Sequence, residues 1–93
     1  MDKFMVVSYD IKENKRRTRV SKTLLDYGSR VQYSVFECNL NDKNISALMD
    51  KLKRIIDQKE DTVRFYTLCR NCVANIHIVG TGELTSDEDV YII

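Results

Sequence analysis

Asp10 is the residue of this sequence best placed to bind a metal ion. It follows residues 4–7, an apolar run whose side chains fall on both parities. Such a run is typical of a strand that is covered on both faces, so we predict a strand over residues 3–9 with Asp10 at its C-terminal end. A carboxylate at this point can end a strand or cap a helix, or it can bind a hard cation such as Mg²⁺ or Mn²⁺.

A metal site at Asp10 would need a second copy of the chain. One carboxylate per chain is a poor site, whereas two Asp10 side chains related by a twofold axis would repel each other unless a cation or a proton lay between them. Such a cation can lower the pKa of a bound water and polarise a phosphoryl oxygen. Tyr9 is a further candidate for the catalytic site, with a place in the core as the alternative. Ser8 could bind the metal directly or through a water.

A basic segment begins two residues after Asp10. It contains six cations and one acid, Glu13; the cations are Lys12, Lys15, Arg16, Arg17, Arg19 and Lys22. Guanidinium groups match the oxygens of a phosphate, so we expect Arg16, Arg17 and Arg19 to bind nucleic-acid phosphates, together with Arg30 a little further along. The alternative is a solvated helix face. Phe36 could stack on a base, or it could be a core residue.

The sequence has three cysteines, Cys38, Cys69 and Cys72. An odd number without a secretory signal indicates reduced thiols rather than a disulfide framework. Cys69 and Cys72 have the spacing of half a zinc site, but no second pair follows them, and we interpret them as structural thiols. The sequence has no Ser/His/Asp set, no phosphate-cradling glycine loop and no dinucleotide fingerprint.

Two helices are predicted from apolar residues at helical spacing. The first is capped by Asn14 and ends at Gly28, where a glycine can take the left-handed conformation. The second is capped by Asp42 or Asn44 and continues to Ile56, with an apolar stripe that belongs to the core.

The remaining apolar segments predict strands. Residues 29–40 change their buried parity near Ser34, so they form either two short strands or one bulged strand. Further strands are predicted at residues 62–69 and 75–80, and a short one at residues 90–93.

This order of elements predicts an α+β sandwich of ferredoxin-like type, with two helices on one face of an antiparallel sheet. Residues 1–93 form a single domain, in which residues 80–93 are a C-terminal extension and edge strand. The other sheet face is left uncovered, which in so short a chain calls for a partner.

Composition agrees with one small globular domain. Hydrophobic residues make up 43% and charged residues 31% of the 93 positions, which argues against disorder. No apolar run approaches the ~20 residues of a membrane span, and no signal-peptide pattern is seen. We expect a cytoplasmic protein that is not bound to a membrane.

Three stretches together resemble a known family: VVSYDI at 6–11, RRTRVSKTLLDYGSRVQYSVFEC at 16–38 and VRFYTLC at 63–69. They are similar to the CRISPR-associated Cas-two family, the small subunit of the spacer-acquisition machinery. The likeness covers nearly the whole chain, and the element order and length agree with it. The CxxC pair is not part of that family pattern.

The resemblance implies a ferredoxin-like homodimer whose C-terminal strands cross to the partner's sheet, with Asp10 of both chains at a divalent-metal site. It also implies a metal-dependent endonuclease acting on single-stranded RNA or double-stranded DNA. Members also form the central dimer that bridges two dimers of the Cas-one integrase, and in that role the carboxylate need not be catalytic. The positions that match the family's functional residues are Tyr9, Asp10, Arg17, Arg19, Arg30 and Phe36.

The sequence thus leaves two principal hypotheses, a Mg²⁺-dependent nuclease and a non-catalytic DNA-binding adaptor. A plain RNA-binding module of ferredoxin-like fold ranks last. Such modules expose aromatic side chains on their central strands, whereas Phe65 and Tyr66 have opposite parities.

Overall fold

A computed structural model describes residues 2–85 of the chain. The elements are β1 (Lys3–Asp10), α1 (Asn14–Leu25), β2 (Ser29–Gln32), β3 (Val35–Leu40), α2 (Asp42–Ile55), β4 (Thr62–Leu68) and α3 (Arg70–Ala74). Within these residues the strands form one antiparallel sheet in the order β2-β3-β1-β4. This order, with α1 and α2 as the connections, is the predicted ferredoxin-like α+β sandwich.

The central strand β1 sends alternate side chains to opposite faces of the sheet. Met5, Val7 and Tyr9 point into the core, where they meet residues of both long helices. The residues of that core are Met5, Val7, Tyr9, Ile11, Val20, Leu24, Phe36, Cys38, Leu40, Leu48 and Leu52. Both helices therefore cover the same face, as predicted, and Ser8 and Asp10 belong to the other face.

The start of each long helix differs by one or more residues from the prediction. Asn41, not Asp42 or Asn44, caps α2, because its side chain accepts the backbone N–H of Asn44 at 2.8 Å. Helix α1 begins at Asn14 itself, after Glu13, whose side chain makes no capping hydrogen bond. The Asn14 side chain instead accepts a hydrogen bond from Arg17 at 3.1 Å.

Gly28 ends α1 for a different reason from the one predicted. Among the described residues only Gly80 and Gly82 have positive φ, so the left-handed conformation predicted for Gly28 is wrong. A Cβ at this position would overlap the carbonyl oxygen of Glu37 and Sγ of Cys38. Gly28 is therefore needed because the end of α1 lies directly against β3.

Residues 29–40 form two strands, the first of the two alternatives. A register shift between Arg30 and Gln32 adds a bulge within the short strand β2. The predicted change of buried parity near Ser34 is not seen, because Val31 and Tyr33 are 42% and 93% exposed and only Phe36, Cys38 and Leu40 of this segment are buried.

The strand predicted at residues 75–80 is wrong. The segment begins at the end of α3, where the amide of Asn75 donates to the carbonyl of Cys72 and the amide of Ile76 to that of Val73. Residues 76–79 have no regular structure, and further along Thr85 bonds to β3 through Glu37 at 3.3 Å. The strand predicted at residues 90–93, and its exchange between protomers, lie outside the described residues.

No helix in the described part of the chain is both long enough and apolar enough to cross a lipid bilayer.

Candidate metal and nucleic-acid site

The candidate site lies on the helix-free face of the sheet, where β1 and β4 run side by side. Asp10 is opposite Thr62 and Ser8 is opposite Arg64 in the antiparallel register. Residues opposite each other in such a pair project to the same face, so this register brings an acid, a base and two hydroxyls together. They line a shallow depression of about 250 Å³, formed by Ser8, Tyr9, Asp10, Thr62, Arg64 and Tyr66.

The carboxylate of Asp10 is open to solvent. Its side chain is 77% exposed, and it forms an ion pair with Nζ of Lys12 at 3.6 Å. An exposed pair at this distance contributes little energy, so the pair leaves the carboxylate oxygens available to another ligand. The structure confirms the predicted place of Asp10 at the end of β1.

A single chain does not complete a metal site at Asp10. No group of three or more His, Cys, Asp or Glu side chains with the geometry of a metal site occurs among residues 2–85. The carboxylate and the nearby hydroxyl of Ser8 are the hard oxygen donors that Mg²⁺ and Mn²⁺ accept. The donor type therefore fits such an ion, whereas the number of ligands fits it only with a second copy.

Arg64 supplies the positive charge of the depression, and the sequence analysis missed it. Its Nη1 donates to the hydroxyl of Tyr66 at 3.4 Å, and this contact raises the pKa of the guanidinium. In a strand over residues 62–68, Thr62, Arg64 and Tyr66 have the same parity, so the sequence could have predicted that they share one face of the sheet. It could not have predicted that β4 pairs with β1, which places these residues next to Asp10.

Tyr9 does not share the face of Asp10. It is 5% exposed, its hydroxyl donates to the carbonyl of Tyr33 at 3.1 Å, and its ring stacks on Phe36 with centroids 6.4 Å apart. Its side chain belongs to the core, which was the stated alternative, and we correct the assignment of Tyr9 as a catalytic residue.

Phe36 is also a core residue. Its side chain is fully buried, with 0% exposure, because β3 directs it between the sheet and the helices opposite Val7. The prediction that Phe36 stacks on a base is wrong, since no face of its ring is open.

Arg16 is committed to an ion pair within the protein. Its Nε lies 2.7 Å from Oδ2 of Asp61, and its side chain is only 18% exposed. It also pairs with Glu60 at 3.2 Å and with Glu13 at 3.5 Å. Three acidic partners satisfy this guanidinium, and we correct its assignment as a phosphate ligand.

Arg17 is engaged with the backbone. It donates to the carbonyl of Ile11 at 2.9 Å and to that of Lys12 at 3.3 Å, and it reaches Oδ1 of Asn14 at 3.1 Å. These hydrogen bonds hold the loop between β1 and α1, and the contact of this exposed arginine with phosphate stays a prediction.

Arg19 and Arg30 keep exposed guanidinium groups. Within residues 2–85 neither side chain forms a hydrogen bond or an ion pair. Arg30 lies at the sheet edge with its Cζ 5.3 Å from the centroid of the Phe36 ring. Both residues lie outside the lining of the Asp10 depression.

Fold and site together define a small ferredoxin-like protein with an exposed acid and an arginine on an open sheet face. Comparison with known proteins identifies the class further: residues 2–76 match the family described as CRISPR associated protein Cas2. A relative from Chloroflexus aurantiacus, named CRISPR-associated endoribonuclease Cas2 3, is 42% identical to this chain over 93 residues. The alignment covers 100% of both chains. The chain belongs to the CRISPR-associated Cas2 family.

Solved structures agree with this assignment. A crystal structure of a hypothetical protein from Thermus thermophilus superposes with a TM-score of 0.81 and 31% identity, covering 92% of this chain and 100% of that one. A chain of a partial Cas6-RT-Cas1–Cas2 complex superposes with a TM-score of 0.74 and 32% identity, covering 83% of this chain and 84% of that one.

Proposed function

We propose that this protein is a cytoplasmic, homodimeric, Mg²⁺-dependent endonuclease that cleaves phosphodiester bonds, with Mn²⁺ as an alternative ion. The observation that carries the proposal is the exposed carboxylate of Asp10 beside Arg64, on a sheet face that no helix covers. On such an open surface the carboxylate of Asp10 can bind a cation, and the guanidinium of Arg64 can bind the phosphate of a phosphodiester.

The proposed dimer is supported by the apolar residues on the same face. Val6 and Val35 are half-buried, and Tyr66 is 47% exposed. A second copy packed against this face would bury them. If the twofold axis passes near the end of β1, it also brings the second Asp10 towards the first.

The protein's own residues would then do the following. Asp10 of each copy would ligate the cation, and Arg64 would offset the negative charge that develops on the phosphate. Arg19 and Arg30 would bind flanking phosphates and so position the strand. When bound, Mg²⁺ supplies Lewis-acid activation of a water and of a phosphoryl oxygen. We expect products with a 5′-phosphate.

RNA is the first substrate to test, because the relative from Chloroflexus aurantiacus is named an endoribonuclease. Single-stranded RNA and double-stranded DNA of matched sequence, assayed side by side, distinguish the two possible substrates.

The decisive experiment compares Asp10→Asn with the parent protein, both freed of contaminating nuclease. The substitution keeps the shape and removes the charge, so Mg²⁺-dependent cleavage should fall to background while the fold is kept. Asp50→Asn changes an exposed acid of α2 and should cleave normally. Cleavage by Asp10→Asn at the parent's rate would refute the proposed mechanism.

A second candidate function is a non-catalytic adaptor that bridges dimers of the Cas-one integrase while it holds DNA. The similarity to a chain of a Cas1–Cas2 complex favours it. In this case Asp10→Asn should assemble with the integrase and DNA as the parent does. Removal of residues 84–93, the acidic and apolar C-terminal segment, should abolish assembly; full assembly by the shortened chain would contradict this version.

A further inference from the structure

Cys69 and Cys72 lie at the opposite end of the sheet from Asp10. Cys69 directly follows β4, and Cys72 is in α3. At the near end of β4, Thr62 pairs with Asp10, whereas at the far end Leu68 pairs with Phe4. Six residues of strand separate these ends by about 20 Å. The two cysteines therefore take no part in the candidate nuclease site.

The two thiols are in contact and open to solvent. Their Sγ atoms lie 3.4 Å apart, and the backbone N–H of Cys72 donates to Sγ of Cys69 at 3.4 Å. Both residues are exposed. A disulfide needs a separation of about 2.05 Å, which two exposed side chains this close can reach by side-chain rotation.

The surroundings make the two sulfurs unequal. Hydrogen bonds from the backbone N–H of Cys72 and then from its thiol lower the pKa of Cys69. The Cys69 sulfur in turn raises the pKa of Cys72. Since the thiolate is the nucleophile in disulfide exchange, we expect Cys69 to be the attacking sulfur and Cys72 the resolving one.

We propose that Cys69 and Cys72 form a redox-active dithiol that reacts with small-molecule disulfides and closes into an intramolecular disulfide. The Cys69 thiolate attacks one sulfur of the small disulfide, which forms a mixed disulfide and releases one small thiolate. Cys72 then loses its proton and attacks the Cys69 sulfur, which forms the protein disulfide and releases the second small thiolate. Two electrons pass from the pair to the small disulfide.

Cys38 provides an internal control in the same molecule. It is fully buried in the core, and burial followed by the charge of Glu37 raises its pKa to about 12. Its thiol is neither exposed nor ionised at neutral pH, so it should stay reduced while the pair reacts.

The test titrates the folded protein with mixtures of reduced and oxidised glutathione, followed by rapid alkylation and trypsin digestion under denaturing conditions. Trypsin cuts after Arg70, which lies between the two cysteines, and yields residues 65–70 and 71–93 as separate peptides. A disulfide holds these two peptides together. We expect the linked pair to replace the alkylated peptides as the oxidised fraction rises, with Cys38 alkylated after unfolding at every ratio.

Cys72→Ser is the matched variant, because it removes the resolving sulfur and keeps the attacking one. It should accumulate a mixed disulfide of Cys69 with glutathione at a level at least about tenfold above the parent, where the second step is intramolecular and fast. Equal levels in the two proteins would refute the proposal.

Three other results would also overturn the proposal of a redox-active dithiol. In the first, the two peptides stay separately alkylated at all glutathione ratios. In the second, the disulfide links two chains, which a non-reducing gel shows as a dimer. Alternatively, stoichiometric Zn²⁺ could protect both thiols from alkylation and prevent oxidation, which would show half of a metal site instead of a redox pair.

Discussion

The guanidinium of Arg16 in α1 lies 2.7 Å from a carboxylate oxygen of Asp61, whose side chain is fully buried immediately before β4. The same carboxylate accepts the backbone N–H of Lys12 at 3.0 Å and that of Asp57 at 2.9 Å. Asp61 therefore joins the loop after β1 to the loop before β4. These are the two loops that flank the Asp10–Thr62 pair, so Asp61 is a positioning residue for the candidate site.

The Arg16–Asp61 contact predicts a specific loss of stability in acid. The hydrogen bond from Arg16, helped by the two backbone amides, holds the pKa of Asp61 well below its usual range. A depressed folded-state pKa contributes stability that is complete above the unfolded pKa of about 3.9 and is lost as the pH falls below it. Thermal unfolding between about pH 2 and pH 7 should show a steeper decline below pH 4 for the parent than for Asp61→Asn.

The control for this prediction is Asp42→Asn. Its ion pair with Lys3 also lowers the pKa of Asp42, but both side chains are largely exposed, so solvent screens the pair. The control should remain close to the parent in the whole profile. A profile for Asp61→Asn that runs parallel to the parent's would show that the buried contact does not contribute to the acid transition.

Arg64→Gln should impair cleavage more than binding. If Arg64 offsets charge that develops on the phosphate, its loss should lower kcat by about 10²-fold or more with a smaller change in KM. Steady-state assays over a range of concentrations of the preferred substrate measure kcat and KM separately. Arg54→Gln, at an exposed position in the last turn of α2, is the matched control. A rise in KM at constant kcat would instead indicate that Arg64 only binds the strand.

Arg19 and Arg30 should contribute salt-dependent affinity, whereas Arg16 should not. Removing one arginine that binds a phosphate should reduce the slope of log K against log salt concentration by about 0.7–0.9. Fluorescence anisotropy at several salt concentrations measures this slope for Arg19→Gln, Arg30→Gln and the double variant. An unchanged slope in the double variant would exclude both residues as phosphate ligands.

Gly28→Ala should destabilise the fold by about 1–3 kcal/mol, a range typical of overpacking. The added methyl group would overlap the backbone of β3 at Glu37 and the buried sulfur of Cys38. Urea unfolding followed by circular dichroism measures the change, with Ser46→Ala on the exposed face of α2 as a control. A loss of stability as small as that of the control would mean that α1 and β3 can separate without cost.

The sequence was sufficient for features that depend on local patterns. The apolar run before Asp10 predicted the end of β1, and the apolar residues at helical spacing predicted α1 and α2 within a few residues. Features that depend on pairing between distant segments were missed. Arg16 finds Asp61 45 positions further along the chain, and Arg64 reaches Asp10 only through the register of β1 with β4. A basic residue that is close in sequence to a candidate site can therefore be predicted to bind phosphate only when its acidic partners within the protein are known.

The error at residues 75–80 has a similar origin. Alternating apolar residues describe a strand only where another strand offers unpaired backbone groups. Here no strand of the sheet in the described part of the chain pairs with residues 75–80, which follow the end of α3 at Ala74.

The contact between Thr85 and β3 has a consequence for the order of assembly. The chain leaves the sheet beyond β4, at one edge, and Thr85 is held by Glu37 and Asn39 on the other side of β1. Residues 75–85 thus cross part of the helix-free face that a second copy would occupy. A docking copy must either incorporate this strap or displace it. If the strap is displaced, association has a unimolecular opening step, and at high protein concentration its rate reaches a ceiling that no longer rises with concentration.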